Sequence, residues 1–296
     1  MNSPGLSNLP RTAHSRRVII NADDFGLCAP VNQAIIDAFK AGNLTSTTCM
    51  VNMPGTEQAA QLAVEHPRLG IGLHFCLTEG RPLTKAASLV DAAGNFLERG
   101  QLMRRLLRGQ VSAADLTAEF DAQLRRLREL GMLPTHTDSH QHVHMNPTVF
   151  RAMLPVLRAE QLPVRLAVPV APGVGLLLRR PIKFLKQTVL YRASQQFRRQ
   201  LNAPTNDLLV SIHDLDLPAA ALTSATLRDL VEQAPTAARV VELMVHPYLP
   251  GSELDALYPG DLPTRRPFFE KCYAEHRLLS GAPLFDADSL ITYGQL

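Results

Sequence analysis

Short apolar runs alternate with longer amphipathic stretches along most of this chain. The runs are rich in β-branched residues and are bounded by glycine, proline or polar turn residues, a pattern typical of buried strands. They predict strands at residues 18–21, 45–51, 69–75, 135–139, 164–168, 208–212, 240–245 and 290–293.

Helical spacing of apolar residues fills several of the intervals between these strands. One helix starts at Pro30 and stops near Gly42, a second covers 57–64, and a third lies between Ser112 and Gly131. Ser112 is a suitable N-cap, and the acidic residues early and arginines late in that helix suit the helix dipole. Residues 79–100 are punctuated by glycine, proline and asparagine, which predicts a loop.

The repeated order of strand, helix and strand predicts parallel strands with helical crossovers. Seven or eight such units favour an α/β fold with a single (β/α) barrel, a divergent relative of the TIM barrel, over an open doubly wound sheet. No internal repeat or linker divides the chain, so residues 16–296 are expected to form one domain. Residues 1–15 are rich in serine, proline and asparagine and predict a disordered extension.

Four of the apolar runs end in side chains that can hold or work beside a metal ion. The runs lead into Asp23 and Asp24, into His74, into the segment 139–144, and into His246. In barrel-like α/β proteins the reacting groups lie at the carboxyl ends of the strands, where distant parts of the chain converge. The pattern therefore predicts an enzyme with a single metal centre.

Each of these pieces also has a simpler interpretation. Asp23 and Asp24 can supply one metal ligand and one base, but an aspartate before a helix is also a common N-cap. A lone histidine such as His74 is more often structural than a ligand, and His246 before a proline can be an ordinary turn residue. The joint pattern is stronger than any one of its parts.

The segment 135–144 contains four histidines that alternate with other residues. On a strand His136, Asp138, His140 and the two that follow, His142 and His144, would share a face. Imidazole suits zinc, iron, cobalt or nickel, and Asp138 is a candidate to orient a metal-binding histidine. The chain is expected to leave the strand near His140, so not all four histidines can bind. A solvated histidine-rich loop is the alternative.

Composition and charge narrow the class of protein. The 296 residues carry a formal net charge of only +3, which makes no case for nucleic acid as a partner. The four cysteines include no CxxC pair and are expected to be buried, reduced thiols. The N-terminus has no apolar stretch long enough for a signal peptide and no run approaches a membrane span, so a cytoplasmic protein is expected.

Residues 176–199 form a basic stretch without an acidic residue. Ile182, Leu185, Val189 and Phe197 fall at helical spacing, and Pro181 suits the first turn of a helix. An amphipathic helix that contacts a membrane surface is one interpretation. A barrel helix with a solvated basic face is the other, and the sequence alone favours it.

The motifs together resemble the YdjC-like carbohydrate deacetylase family, which includes chitooligosaccharide deacetylases and deacetylases of hopanoid biosynthesis. The resemblance covers residues 17–294, tightly in the first half and loosely after His144, and 163–207 match no family block. The matching stretches are NADDFGL at 21–27, LTSTT at 44–48, GLHF at 72–75, LT at 77–78, GRPL at 80–83, PTH at 134–136, DSH at 138–140, HVHM at 142–145 and HP at 246–247.

The resemblance implies a divergent (β/α) barrel that removes an N-acetyl group from an amino sugar, in an oligosaccharide or a glycolipid. It implies Asp24, His74 and His140 as metal ligands, Asp23 as the catalytic base and His246 as an acid or polarising group. One divalent ion is expected, and the imidazoles favour zinc over magnesium.

Two other classes of function remain open at this point. A metal phosphoesterase on a similar barrel would use two or three ions, but the polar strand ends supply ligands for about one. A sugar-binding protein with a vestigial site is the non-enzymatic alternative, against which the intact set of site residues speaks. The oligomeric state is open, and a homodimer is compatible with the sequence.

Overall fold

A computed structural model of the chain describes residues 16–172 and 174–296, and the side chains of 174–176 are left aside. The extension predicted at 1–15 lies outside the described residues. The architecture is α/β, with one sheet whose strands all pair in parallel. The strands are β1 (Arg17–Phe25), β2 (Ser46–Cys49), β3 (Gly70–Phe75), β4 (Thr137–Ser139), β5 (Leu208–Val210) and β6 (Val240–Val245).

Helices connect the strands and cover the sheet. Three of the helix starts expected from the sequence are observed: a proline lies in the first turn of α1, Ser112 accepts the Asp115 N–H at the start of α4, and Pro181 begins α7. The helices are α1 (Ala29–Lys40), α2 (Thr56–Glu65), α3 (Arg99–Leu107), α4 (Ala113–Glu129), α5 (Pro147–Glu160), α6 (Val174–Arg179), α7 (Pro181–Arg198), α8 (Ser224–Glu232), α9 (Ser252–Ala256) and α10 (Leu262–Leu279).

The sheet is strongly curled, with strand order β4-β3-β2-β1-β6-β5. Its two outer strands, β4 and β5, approach each other across the segment 163–168. Val164 in this segment makes single parallel bridges to Thr137 on one side and Thr205 on the other. Every residue of β1 after Arg17 is buried. This is expected of a central parallel strand that is covered on both faces.

The described chain has six regular strands rather than the seven or eight predicted. The segment 164–168 is extended but irregular, because the side chain of Asn206 bonds both the N–H and the carbonyl of Leu166 where a neighbouring strand would do so. The predicted strand at 290–293 is reduced to one bridge between Leu290 and Val18, followed by a 3₁₀ turn.

Helices α3, α5, α6, α8, α9 and α10 were not assigned individually from the sequence, and α3 is the one that begins where a loop was expected. Helix α3 begins at the end of the stretch expected to be a loop, and only Leu102 and Leu106 of its side chains are buried. Two apolar positions one turn apart are too short a stripe to indicate a helix by periodicity. The four cysteines, by contrast, are free and buried as expected.

Candidate metal centre

The carboxyl ends of four strands meet at one edge of the sheet and carry the side chains predicted for the site. Asp23 and Asp24 lie at the end of β1, and His74 lies in β3 opposite Asp138 of β4. His140 opens the 3₁₀ segment His140–Met145 that follows β4, and His246 follows β6 directly. The fold therefore brings all five predicted residues to the same edge.

Asp24 has an unusual backbone conformation, with φ at +69°. The register between β1 and β2 shifts at this point, between Ala22 and Phe25. A bulge of this kind re-aims a side chain, so neighbouring aspartates can both face the site instead of opposite faces of the sheet. The N-cap alternative is wrong, since α1 has Cys28 at its N-cap position and no side-chain cap.

Asp24, His74 and His140 form a tight group around one oxygen. Asp24 Oδ1 lies 3.2 Å from His74 Nε2 and 3.0 Å from His140 Nδ1. Asp24 and His74 are almost completely buried, and His140 is largely buried. One carboxylate oxygen and two imidazole nitrogens that face one another have the donor types and the spacing of a site for a single divalent ion.

Neighbouring groups orient two of these three side chains. His74 Nδ1 lies 2.7 Å from Asp138 Oδ1 and 3.1 Å from the hydroxyl of Thr48. The Tyr248 hydroxyl donates to Asp24 Oδ2, the oxygen that faces away from the imidazoles. Metal-binding histidines commonly place their second ring nitrogen against a carboxylate, as His74 does against Asp138, and this fixes the ring and its tautomer.

The charges of the group show how strongly it favours a cation. Burial lowers the pKa of His74, but Asp138 and Asp24 outweigh it and raise that pKa to about 10. Asp24 likewise overcomes the effect of burial on His140 and raises its pKa to about 9. Burial raises the pKa of Asp24, yet the two histidines hold it well below its usual value. Without a metal ion, protons on the imidazoles supply the positive charge that the carboxylates require.

A second grouping, of Asp23, His74 and Asp138, has similar spacing but already contains a cation. The guanidinium of Arg165 donates to both oxygens of Asp23, at 2.7 and 2.6 Å, and pairs with Asp138 Oδ2. The same side chain donates from Nε to Glu242 at 2.6 Å. Because Arg165 fills this place, the Asp24 grouping is the better metal site of the two.

Asp23 is held as an ionised carboxylate at the rim of this group. Burial and the nearby Asp138 raise its pKa, but Arg165 and His74 together outweigh them and the net pKa is lowered. The side-chain amide of Asn21 also donates to Asp23 Oδ1, at 3.0 Å. His246 Nε2 lies 3.8 Å from Asp23 Oδ2, so the two predicted catalytic groups face a common space.

Arg165 and Glu242 were not identified from the sequence as site residues. Both are completely buried ionisable side chains, and Glu242 also accepts a hydrogen bond from the Tyr293 hydroxyl. Burial raises the pKa of Glu242 to about 7 despite its contact with Arg165. The available indication was a single charged residue inside each of two apolar runs, since a charge there is seldom buried without a partner.

The remaining histidines of the 135–144 segment are not ligands in this arrangement. His136 stacks on Tyr293 and lies 3.1 Å from Asn21 Oδ1, and His144 lies 2.9 Å from the carbonyl oxygen of Arg165. Gln141 and His142 have positive φ values of 54° and 53°. That turn breaks the strand alternation, so only His140 faces Asp24.

His246 rests on a buried glutamate of α10. Glu275 Oε2 accepts the backbone N–H of His246 at 2.7 Å and lies 3.4 Å from His213 Nε2. Burial lowers the pKa of His246. Asp23 raises this pKa, but its effect is smaller than that of burial. His213, Cys272 and Glu275 form a further grouping with ligand-like spacing beside His246.

Comparison with known proteins gives a consistent picture. The chain is 48% identical over 157 residues to a carbohydrate deacetylase of Geobacillus stearothermophilus, a match over 53% of this chain and 60% of that protein. It is 42% identical over 166 residues to a chitooligosaccharide deacetylase of Yersinia pestis, over 55% of this chain and 64% of that one. The matched region thus spans less than two thirds of either relative.

A solved structure extends the comparison over nearly the whole fold. An Enterococcus faecalis protein, provisionally described as a cellobiose-phosphate cleavage protein, superposes with a TM-score of 0.64 at 26% identity. The superposition covers 93% of this chain and 98% of that one. The family model described as YdjC-like protein matches residues 17–278, a range that contains all five predicted site residues. This chain therefore belongs to the YdjC-like family.

Proposed function

We propose that this protein is a metal-dependent hydrolase that removes an N-acetyl group from an amino sugar. The observation that carries the proposal is the group formed by Asp24, His74 and His140, with ionised Asp23 beside it. The names of the two curated relatives, a carbohydrate deacetylase and a chitooligosaccharide deacetylase, support the same class of substrate.

The ion would be held by Asp24, His74 and His140. Two imidazole nitrogens and one carboxylate oxygen fit zinc or a similar transition ion better than magnesium, which prefers oxygen ligands. With three protein ligands an open position remains, and a bound ion would lower the pKa of water and polarise the acetyl carbonyl.

Asp23 is proposed to take the proton of the attacking water. Its carboxylate is ionised and held in place through both oxygens by Arg165, while His246 lies 3.8 Å away. A base that is fixed and charged before the substrate arrives loses little free energy to reorganisation.

His246 is proposed to give a proton to the departing amine, since an amine anion is a poor leaving group. Its lowered pKa keeps it neutral at pH 7 before the reaction. The proton that it donates therefore has to come from the reaction itself, and its nearest source is Asp23. Water has then lost one proton to Asp23 and the amine has gained it through His246, so acetic acid and a free amino sugar result, and the acid ionises to acetate at neutral pH.

A phosphoesterase is the less favoured alternative because it would require a second ion close to the first. The nearest candidate ligands for that ion, Asp23 and Asp138, are both paired with Arg165. Metal analysis separates the two functions: we expect one ion per chain at the Asp24 group, whereas two ions would favour phosphate chemistry.

The central test is acetate release from a panel of N-acetylglucosamine, its short oligomers and a glycolipid that carries the same sugar. We expect release from at least one substrate, its loss with a chelator, and its recovery on addition of zinc. Asp24→Ala is the matched variant and should be inactive with or without zinc. Absence of acetate from every substrate, or activity that a chelator does not change, would contradict the proposal.

A further inference from the structure

Helix α7 presents an apolar surface that the rest of the described chain leaves uncovered. Ile182, Leu185 and Val189 are 85%, 64% and 60% exposed, and Leu178 at the end of α6 is 81% exposed. At 3.6 residues per turn, the three α7 side chains fall within about 60° of one another on the helix surface. We call these four residues the α7 stripe.

The other end of α7 is anchored to the body of the protein. Phe197 is buried and stacks on Phe150 of α5, with ring centroids 3.9 Å apart. Arg198 donates to the hydroxyl of Thr205 and to the carbonyl oxygen of Asn206. The exposure of the stripe is therefore not the result of a helix detached from the fold.

Positive charge flanks the stripe on both sides. On the helix surface Lys183 and Lys186 follow the stripe on one side and Arg192 on the other. Among the basic residues of 176–199 that the structure describes, Arg180 and Arg198 pair with a carboxylate. The whole protein has a net charge of only +3, yet 176–199 contains no acidic residue and seven basic ones: Arg179, Arg180, Lys183, Lys186, Arg192, Arg198 and Arg199.

Helices α6 and α7 follow the edge of the sheet that carries the candidate metal centre. The segment 163–168 runs parallel to its neighbours, so its carboxyl end is at that edge, and α6 follows after a short connection. Helix α7 contacts the 3₁₀ segment His140–Met145, which contains His140. The helix that carries the stripe thus begins after this edge and contacts the segment that contains His140.

We propose that the α7 stripe and its flanking cations bind an anionic lipid surface. A helix that lies in the interface of a membrane has an apolar face with basic residues beside it, as observed here. A core helix would bury the stripe, and a solvated basic helix would carry single exposed aliphatic residues rather than a row of them on one face. In the described residues no helix is long and apolar enough to span a bilayer.

The test is co-sedimentation of the full chain with phosphatidylcholine vesicles that contain or lack phosphatidylglycerol, at low and moderate salt. We expect binding to the anionic vesicles that weakens with salt, and little binding to the neutral ones. Serine at 182, 185 and 189 (I182S, L185S, V189S) should weaken binding at least about tenfold by removing the buried aliphatic groups. The pair K183E and K186E should weaken it and reduce its salt dependence.

Leu107→Ser is the matched control, because Leu107 is also 85% exposed but lies at the end of α3, away from the stripe. It should bind as the parent does, and circular dichroism should show that all variants are folded. Three outcomes would overturn the proposal: no binding to anionic vesicles at low salt, equal binding by the triple serine variant, or self-association in sedimentation velocity that the triple serine variant abolishes.

Discussion

Arg165 holds together side chains from three separate segments of the chain. Its guanidinium reaches Asp23 at the end of β1, Asp138 in β4 and Glu242 in β6. A buried charge network of this kind is sensitive to the loss of one partner, since the groups left behind are buried without compensation. In this site it also keeps Asp23 ionised, which a catalytic base requires.

The role of Asp23 can be separated from metal binding by Asp23→Asn. The amide keeps the size of the side chain but cannot take a proton, so turnover should fall by about 10²–10⁴-fold. Metal content should stay near that of the parent because Asp24, His74 and His140 are unchanged. Acetate release and elemental analysis measure the two effects, and near-normal turnover would remove Asp23 from the role of base.

The choice of His140 over its neighbour is tested by two alanine variants. His140→Ala removes a side chain that faces Asp24 at 3.0 Å and should lose most of the bound metal. His142→Ala, two residues on and beyond the turn with positive φ, should retain it. Loss of metal from His142→Ala but not from His140→Ala would show that His142 is the ligand and that the assignment to His140 is wrong.

The sequence was informative about these residues for a physical reason. Asp23, Asp24, His74 and His246 each end an apolar run, and the carboxyl ends of parallel strands meet, so their convergence follows from the strand pattern alone. Arg165 was missed because it lies within a run, and its partners are set by the curl of the sheet. No spacing in the sequence encodes that curl.

Strand β3 lies very close at Gly72 to His136, the residue before β4. A methyl group at Gly72 would lie 2.6 Å from the His136 ring and 2.8 Å from its backbone carbonyl oxygen. Gly72→Ala should therefore destabilise the protein by about 1–3 kcal/mol, as is typical of overpacked sites. Urea unfolding measures the change.

Gly70→Ala is the matched control for this prediction, since Gly70 lies in the same strand two residues earlier. Its added methyl group would be no closer than 3.4 Å to any neighbour. We expect a much smaller loss of stability there. Equal losses at the two positions would show that the cost comes from the strand backbone rather than from contact with His136.

Among the elements, the regular strands were predictable and the irregular ones were not. The six strands of the sheet fall within or over the predicted strand segments, because burial on both faces of a parallel sheet favours apolar and β-branched residues. The segment 164–168 has the same composition but is irregular, since Asn206 replaces a neighbouring backbone. Composition reports burial, and it does not report which group supplies the hydrogen bonds.

At the scale of the whole molecule, buried neutral histidines make stability depend on pH. Burial lowers the pKa of His136 to about 3 and that of His144 to about 4, against about 6.5 in the unfolded chain. Below pH 6.5 the unfolded state binds these protons and the folded state does not. The stability that the two groups contribute is therefore complete above pH 6.5 and is lost as the pH falls toward 4 and 3.

The expected slope is up to about 1.4 kcal/mol per pH unit for each histidine. Urea unfolding of the metal-loaded protein at pH 7, 6 and 5 should show this loss. His136→Gln is expected to be less stable at pH 7. Its free energy of unfolding should fall less steeply with acid, because about one proton fewer is taken up on unfolding. An unchanged slope would show that His136 is protonated in the folded protein.

The segment 163–168, which connects the two outer strands of the sheet through single bridges, is expected to unfold locally more readily than the central strands. Val164 is held to its neighbours by single bridges, while β1 and β6 pair along six consecutive residues. Hydrogen exchange should therefore reach the amides of 164–166 well before those of β1. Arg165 lies in this segment. A brief local opening of 164–166 would separate its guanidinium from the Asp23 carboxylate, and the proposed reaction would stop while the sheet stays folded. The charge of the site thus depends on a segment that has fewer backbone pairings than the central strands.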